Sequence, residues 1–319
     1  MKPGGVLVTG GAGFIGSHLV ERLLKSGRKV LCLDNFNSFY DPAIKRANVH
    51  PFLSHPHFGL IEGDIRDASL LSDIFRSNEV EAVVHLAAMA GVRPSVENPQ
   101  LYNEVNVIGT TSLLEECRRA RVKKFIFGSS SSVYGLNDRV PFSEDALVGK
   151  TASPYGATKL AGEALCHTFH HLYEIPTVCL RFFTVYGPRQ RPEMAIHSFI
   201  RLIHTDREVP VFGDGSSRRD YTYIDDIVDG VMASVACDCR FEIVNLGGSR
   251  TTTLLELVQF IESSLGKRAR MRFLPSQKGD VPITFASVEK AKNLLGYQPG
   301  VPIEEGIERT VRWFVNQNR

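Results

Sequence analysis

Tyr155 and Lys159 stand four residues apart in Ser153-Pro154-Tyr155-Gly156-Ala157-Thr158-Lys159. Serine suits a helix N-cap and proline the first helical position, so the segment reads as a helix start with phenol and ammonium on one face. Upstream, Gly128-Ser129-Ser130-Ser131-Ser132-Val133-Tyr134-Gly135 closes an apolar strand candidate. A hydroxyl at a strand end can meet a tyrosine and a lysine of the next helix around one substrate hydroxyl. Free phenol, with a pKa of ~10, is a poor base at neutral pH, and a neighbouring cation brings it closer to working range. Tyr155 is then the candidate base, Lys159 its polarising cation, and Ser130 the hydroxyl that binds the reacting oxygen. The serine run leaves the choice among Ser129 to Ser132 open.

A second constellation supplies what such a base needs. Gly10-Gly11-Ala12-Gly13-Phe14-Ile15-Gly16 follows the strand candidate Val6–Thr9 and opens a helix, with Gly10, Gly13 and Gly16 at even spacing. Glycines allow a tight turn, a close approach to a pyrophosphate and tight helix–strand packing, and the helix N-terminus offers unpaired N–H groups. Asp34 follows the second strand candidate (Lys29–Leu33), 18 residues after Gly16, where a carboxylate can accept both ribose hydroxyls of an adenosine. Its charge disfavours a 2′-phosphate, so the expected cofactor is NAD, not NADP. A nicotinamide hydride acceptor beside Tyr155 gives alcohol oxidation. Asp64 ends the third strand candidate and reads either as an adenine contact or as the N-cap of the helix from Ala68.

These residues need a frame. Short apolar runs at Val6–Thr9, Lys29–Leu33, Gly59–Ile61, Ala82–Leu86, Lys124–Gly128 and Thr177–Arg181 alternate with amphipathic stretches at Phe14–Ser26, Ser69–Arg76, Leu101–Ala120 and Pro154–Tyr173. The alternation predicts an α/β fold, a Rossmann-type doubly wound parallel sheet with its ligand at the carboxyl ends of the strands. Beyond residue 181 glycine and proline become frequent, and helical patterns return at Met194–His204, Ile224–Ala236, Leu254–Leu265 and Ile303–Val315. We expect residues 1–181 to form the dinucleotide-binding domain, with segments of about 212–250 returning to it. Residues 182–319 form a smaller, discontinuous C-terminal substrate-binding region.

Composition removes other classes. With 319 residues, 43% hydrophobic and 23% charged, the chain is an ordinary globular one and not a disordered one. A net charge of +2 gives no reason to expect a nucleic-acid or membrane-surface partner. The longest uncharged apolar run, Ala82 to Val92, is far below the ~20 residues of a membrane span, and the opening MKPGGVLVTGG gives no secretory h-region. Cys32, Cys117, Cys166, Cys179, Cys237 and Cys239 read as reduced thiols of a cytoplasmic protein. Cys237-Asp-Cys239 lacks the spacing of a zinc site, so no metal is expected.

Together the glycine loop, Asp34-Asn35-Phe36-Asn37, His85-Leu86-Ala87-Ala88, Asn106-Val107-Ile108-Gly109-Thr110, the serine run, Tyr155–Lys159 and Arg181-Phe182-Phe183-Thr184-Val185-Tyr186-Gly187-Pro188 carry a resemblance over nearly the whole chain. The sequence resembles extended short-chain dehydrogenases/reductases of the NAD-dependent nucleotide-sugar epimerase/dehydratase family. The resemblance implies a redox-neutral cycle in which a sugar is oxidised at C4 and the hydride later returned. It implies cofactor contacts at Gly10, Gly13, Phe14, Ile15, Gly16, Asp34, Asn35, Asp64, Ile65, Leu86, Ala87, Ala88, Asn106, Tyr155 and Lys159. The helices Leu101–Ala120 and Pro154–Tyr173 resemble those of a homodimer interface, ordinary packing on the sheet being the alternative. His167, His170 and His171, on the second of them, read as a solvated or interface face.

The branch follows from departures within the pattern. Dehydratases of this family carry Asp-Glu before the Val-Tyr, and related decarboxylases usually a Glu; here stand Ser131 and Ser132, which argues for a 4-epimerase. Thr184 and Arg189-Gln190-Arg191-Pro192-Glu193-Met194 resemble the UDP-glucuronate 4-epimerase branch, whereas UDP-glucose 4-epimerases usually have Asn at the position of Thr184. Arg191 with Thr184 and Ser130 to Ser132 is the expected holder of a C6 carboxylate; the alternative is that Arg189 and Arg191 bind phosphates or surface acids. By the same resemblance the backbone of Val211-Phe212-Gly213-Asp214-Gly215 contacts the uracil, Arg219 binds the diphosphate, Arg93 lies near the sugar-phosphate, and Asp280 binds the uridine ribose. A surface role is the alternative for Arg93, and Gln277-Lys278 departs from the usual Arg before that Gly-Asp. The expected substrate is a UDP-hexuronic acid. A neutral UDP-sugar, decarboxylation of UDP-glucuronate and a non-catalytic NAD-binding regulator are the other readings.

Overall fold

The computed structural model describes residues 4–275 and 281–317. Its frame is a seven-stranded sheet: β1 (Gly5–Thr9), β2 (Val30–Asp34), β3 (Phe58–Glu62), β4 (Val80–His85), β5 (Lys124–Ser130), β6 (Thr177–Phe182) and β7 (Phe241–Leu246), in spatial order β7-β6-β5-β4-β1-β2-β3. Every pairing is parallel. The chain runs outward from β1 to β3, returns to β4 on the other side of β1, and runs outward again. The strand order thus reverses between β1 and β4, and a crevice opens outside their carboxyl ends.

Alternation along each strand feeds two cores. Val6 and Val8 of β1, with Val84, Ile126, Val178 and Leu180, pack against α1 (Phe14–Lys25) and a later helix, Ile224–Ala236. Leu7, Val83, Phe125, Phe127 and Cys179 face the opposite side, toward Ala68–Ser77, Thr110–Ala120 and Pro154–Tyr173. Covering of both faces explains why the strands read as unbroken apolar runs. The doubly wound parallel sheet expected from the sequence is the fold found.

Most expected elements appear within a few residues, with two instructive differences. Leu101–Ala120 is not one helix. It divides into Pro99–Asn103, a π-helical turn at Glu104–Gly109, and Thr110–Ala120. The π turn carries Asn106, whose amide pairs with both backbone groups of Met89. The seventh strand, Phe241–Leu246, pairs with β6 although it follows the loosened part of the chain. Before it Cys237 and Cys239 are joined as a disulfide, where the sequence suggested free thiols. Cys32, Cys117, Cys166 and Cys179 are free and buried.

The remaining strands form three small ladders above the carboxyl edge. Thr184–Tyr186 pairs with Tyr221–Tyr223, Arg218–Arg219 with Thr252–Thr253, and Glu208–Phe212 with Arg270–Leu274. Residues 212–223 therefore belong to these ladders, while 241–246 lie in the main sheet. Among the described residues no helix is long and apolar enough to cross a membrane.

Candidate active site

The glycine loop forms the floor of the crevice. Gly10 adopts φ 68°, and a Cβ there would come within 2.7 Å of the Ala87 nitrogen beyond β4. At Gly16 a Cβ would run into the Gly10 carbonyl and the Gly11 backbone. Gly13, at the N-cap of α1, provides no side-chain cap, so the first-turn N–H groups are left for another acceptor. A phosphate fits such a cradle. Phe14, Ile15, Leu86, Ala87, Ala88 and Ile65 line the same crevice, as do Asp34, Asn35 and Asp64.

Asp34, at the end of β2, is buried and accepts the N–H groups of Ala12 (3.1 Å) and Phe36 (2.9 Å). Burial raises its pKa; those two donors and the Lys45 ammonium pull the other way. Asp64 is held differently. Arg66 binds both its oxygens at 2.9–3.0 Å and Asn35 donates to it at 2.9 Å, and chiefly through Arg66 its pKa falls to about 2. The N-cap of the helix from Ala68 is not Asp64 but Asp67, which accepts from the Ser69 and Leu70 N–H groups.

The other set of residues gathers across the crevice. Ser153 caps Pro154–Tyr173 by accepting from Gly156, fixing the start of the helix that carries Tyr155 and Lys159. Lys159 is buried and donates to the Gly128 carbonyl at 2.7 Å, on the strand that ends in Ser130; its nitrogen lies 6.0 Å from the Tyr155 ring centre. Burial lowers its pKa to about 8. Burial raises that of Tyr155, against the Ser130 hydroxyl, which hydrogen-bonds it, and the Arg191 guanidinium. The protein alone therefore leaves the phenol above its ordinary range.

The serines of the run differ in their partners. Ser129 donates to Glu163 at 2.5 Å, whereas Ser130, within hydrogen-bond reach of Tyr155, accepts from the Ser132 N–H and pairs with the Ser132 hydroxyl, both at 3.1 Å. Arg191 lines the crevice with Tyr155 and Ser130, paired with Glu193 at 3.2 Å and set 5.5 Å over the Phe39 ring. Arg189 is withdrawn: it binds Glu21 of α1 at 2.7 Å.

Other expected residues lie apart. Asn106 was expected at the cofactor, yet its side chain is buried and taken by Met89 and Thr158 at 2.8–3.0 Å. It braces the Ala87–Ala90 segment that lines the crevice. Ser131 and Ser132 occupy the short turn after Ser130, and Thr184 begins the ladder to Tyr221. Arg93 and Phe212 meet, guanidinium over ring at 5.1 Å, away from the glycine loop. Val211 is wholly buried in its ladder, and Arg219 hydrogen-bonds the Arg218 and Pro282 carbonyls. Asp280 and Gln277-Lys278 lie outside the described residues.

Sequence reasoning missed three features here. Asn37, Phe39, Tyr40 and Lys45, from the loop and helix after β2, line the crevice beside Arg191; the loop has no periodicity that would announce them. His85, buried between Thr9 (2.7 Å) and Thr110 (3.0 Å), is held neutral by its burial and ties β1 to β4. Glu163 and Arg181 form a fully buried ion pair at 2.8–2.9 Å behind Ser129. Glu163 follows Tyr155 and Lys159 at the same helical interval, a signal visible in the sequence.

Comparison with known proteins agrees with this geometry. The profile of the NAD dependent epimerase/dehydratase family matches residues 6–247. A UDP-glucuronate 4-epimerase of Thermodesulfobacterium geofontis is 43% identical over 308 residues, covering 96% of this chain and 95% of its own. UDP-glucuronic acid 4-epimerase from Bacillus cereus, solved with UDP-glucuronic acid and NAD, superposes with a TM-score of 0.93 at 40% identity, over 98% of this chain and 99% of its own. UDP-glucose 4-epimerase of Thermotoga maritima, solved with UDP-glucose, gives 0.92 at 35% identity, over 99% and 100%. The chain that carries this glycine cradle, this acid at the end of β2 and this Ser-Tyr-Lys cluster is thus similar along its whole length to these proteins, and it belongs to the NAD dependent epimerase/dehydratase family.

Proposed function

We propose that this protein is a cytoplasmic, homodimeric NAD-dependent isomerase that interconverts UDP-glucuronate and UDP-galacturonate by inversion at C4. The observation that carries the substrate choice is Arg191, a guanidinium sharing the crevice with Tyr155 and Ser130. In this reading residues 1–181, rejoined by 241–246, hold the dinucleotide, and the ladders of 182–319 hold the UDP-sugar.

When bound, NAD would accept the C4 hydride and return it to the opposite face of the 4-keto sugar, and its oxidised ring would favour the phenolate. Tyr155 takes the proton of the C4 hydroxyl, Ser130 holds that oxygen, and Lys159 keeps positive charge beside the phenol. No carboxylate stands at Ser131 or Ser132 to drive elimination. The 4-keto sugar therefore turns and is reduced on its other face, Tyr155 returning the proton. Arg191, with Thr184 and Ser130 to Ser132, grips the C6 carboxylate in a charge-assisted pair. The grip has a chemical purpose: a 4-keto uronate is a β-keto acid, which loses CO₂ when the breaking bond aligns with the carbonyl π system. Arg93 and Arg219 meet the diphosphate, the backbone of the segment from Phe212 to Gly215 the uracil, and Asp280 the uridine ribose.

The test is a product profile with purified protein. UDP-glucuronate should give UDP-galacturonate with little CO₂. UDP-4-keto-pentose or UDP-xylose as main product would make the protein a decarboxylase. Turnover confined to UDP-glucose or UDP-N-acetylglucosamine would reassign Arg191, and no turnover with any UDP-sugar would leave a binding protein.

A further inference from the structure

Tyr155, Lys159 and Glu163 follow one another at four-residue intervals along Pro154–Tyr173, one face of one helix. The first two belong to the chemistry above; the third does not touch the crevice. Glu163 is 3% exposed and makes three charge-assisted hydrogen bonds. Ser129 Oγ donates at 2.5 Å, Arg181 Nε at 2.9 Å and Arg181 Nη2 at 2.8 Å. Ser129 lies on β5 next to Ser130, and Arg181 lies on β6, paired in register with Ser129. One carboxylate therefore locks the helix that carries the base to the strand end that carries the hydroxyl. The Arg181 guanidinium also sits 4.8 Å over the Tyr134 ring, which closes the serine turn.

We propose that Glu163 is a positioning residue for catalysis, setting the Tyr155–Ser130 register through Ser129 and Arg181. Hydrogen bonds of this kind fix a register more sharply than apolar packing does, and a positioning error of about 1 Å costs on the order of 100-fold in rate. The charged and titratable groups around Lys159 are few. Its own helix offers Tyr155, Glu163 and Cys166, β4 the neutral His85, and β5 only the Gly128 carbonyl and the Phe127 ring. From β6, Cys179 and Arg181 belong to the Glu163 cluster. Among these Cys166 and, after it, Glu163 oppose the burial that disfavours the ammonium, and Glu163 is the carboxylate of the ion pair with Arg181. Replacing it by a neutral amide removes that support and leaves the Arg181 cation unpaired nearby, so both changes favour loss of the Lys159 proton at lower pH.

This inference rests on the epimerase reading, so wild-type turnover with UDP-glucuronate or UDP-glucose is measured first; its absence defeats that reading and this one together. Glu163→Gln and Ser129→Ala are then compared with wild type, the second keeping the ion pair and so the fold. Glu163→Gln should lose 10- to 100-fold in kcat with KM changed less than twofold, and its alkaline limb should move to lower pH. The ¹³Cε resonance of Lys159, assigned by its disappearance in Lys159→Met, should titrate at lower pH in Glu163→Gln without any sugar present. Ser129→Ala should lose several-fold in kcat at unchanged KM. A folded Glu163→Gln with wild-type kcat and an unmoved Lys159 titration overturns the proposal while leaving the epimerase reading intact. Should Glu163→Gln not fold, wild-type kcat in Ser129→Ala overturns it equally.

Discussion

Tyr155 lines the crevice half-buried, and the packing around its phenol by itself works against a base. Burial lifts the phenol, while Ser130 and Arg191 pull it down without offsetting the rise. In the proposed mechanism the remaining push would come from the Lys159 ammonium and the oxidised nicotinamide, so proton abstraction should depend on cofactor occupancy. Tyr155→Phe should therefore cost 10²- to 10⁴-fold in turnover, the usual worth of general acid–base catalysis, with NAD retained; quantifying bound dinucleotide beside the rate checks both halves. Lys159 sets the other limit. Burial brings its pKa from the usual lysine range to about 8. Its ammonium, the form that supports the phenolate, is lost as pH rises through that value. Turnover should fall above about pH 8, and Lys159→Arg, fixed in charge, should flatten that limb even if the maximum rate drops. A limb that stays in place in Lys159→Arg would assign it to another group.

At the scale of elements, what could be read from sequence was whatever local chemistry dictates. The glycine loop, the Ser-Pro helix start before Tyr155 and the buried strands each follow from residue type and period. The tertiary pairings did not: Arg189 and Arg191 carry the same side chain two residues apart, but one is claimed by Glu21 on α1 and the other reaches the crevice. Nor does a helical period announce the π turn that swings Asn106 onto Met89. The glycine loop itself separates folding from binding. Gly16→Ala drives a methyl into the backbone of Gly10 and Gly11, so melting temperature should fall along with NAD affinity. A Cβ at Gly13 meets only the Gly10 carbonyl at 3.2 Å. Gly13→Ala should melt near wild type yet bind NAD at least tenfold more weakly, because the methyl projects where a phosphate must come. Equal loss of melting temperature in both variants would show that the loop is strained rather than shaped for a ligand.

At the scale of the whole molecule, the helices Thr110–Ala120 and Pro154–Tyr173, which pack on one side of the sheet, expose small and apolar residues. Residues Ala157, Ala164, Thr168 and Leu172 are exposed along the longer helix, and Ile108 lies beside the shorter one at 52% exposure. Small and apolar residues in such a stripe let a second helix pair approach closely, which is the geometry a four-helix interface needs. In the proposed homodimer a clamp on the outer face of this helix would restrain the turn that carries Tyr155, as Glu163 is proposed to restrain its inner face. Light scattering should give twice the 35.4 kDa chain mass for the wild type. Ala164→Arg places a cation at the centre of the stripe and should yield a monomer with reduced turnover. A wild type that scatters as a monomer removes the interface, whereas a monomeric Ala164→Arg of full activity would keep the interface and show that each subunit's catalytic helix is held from within.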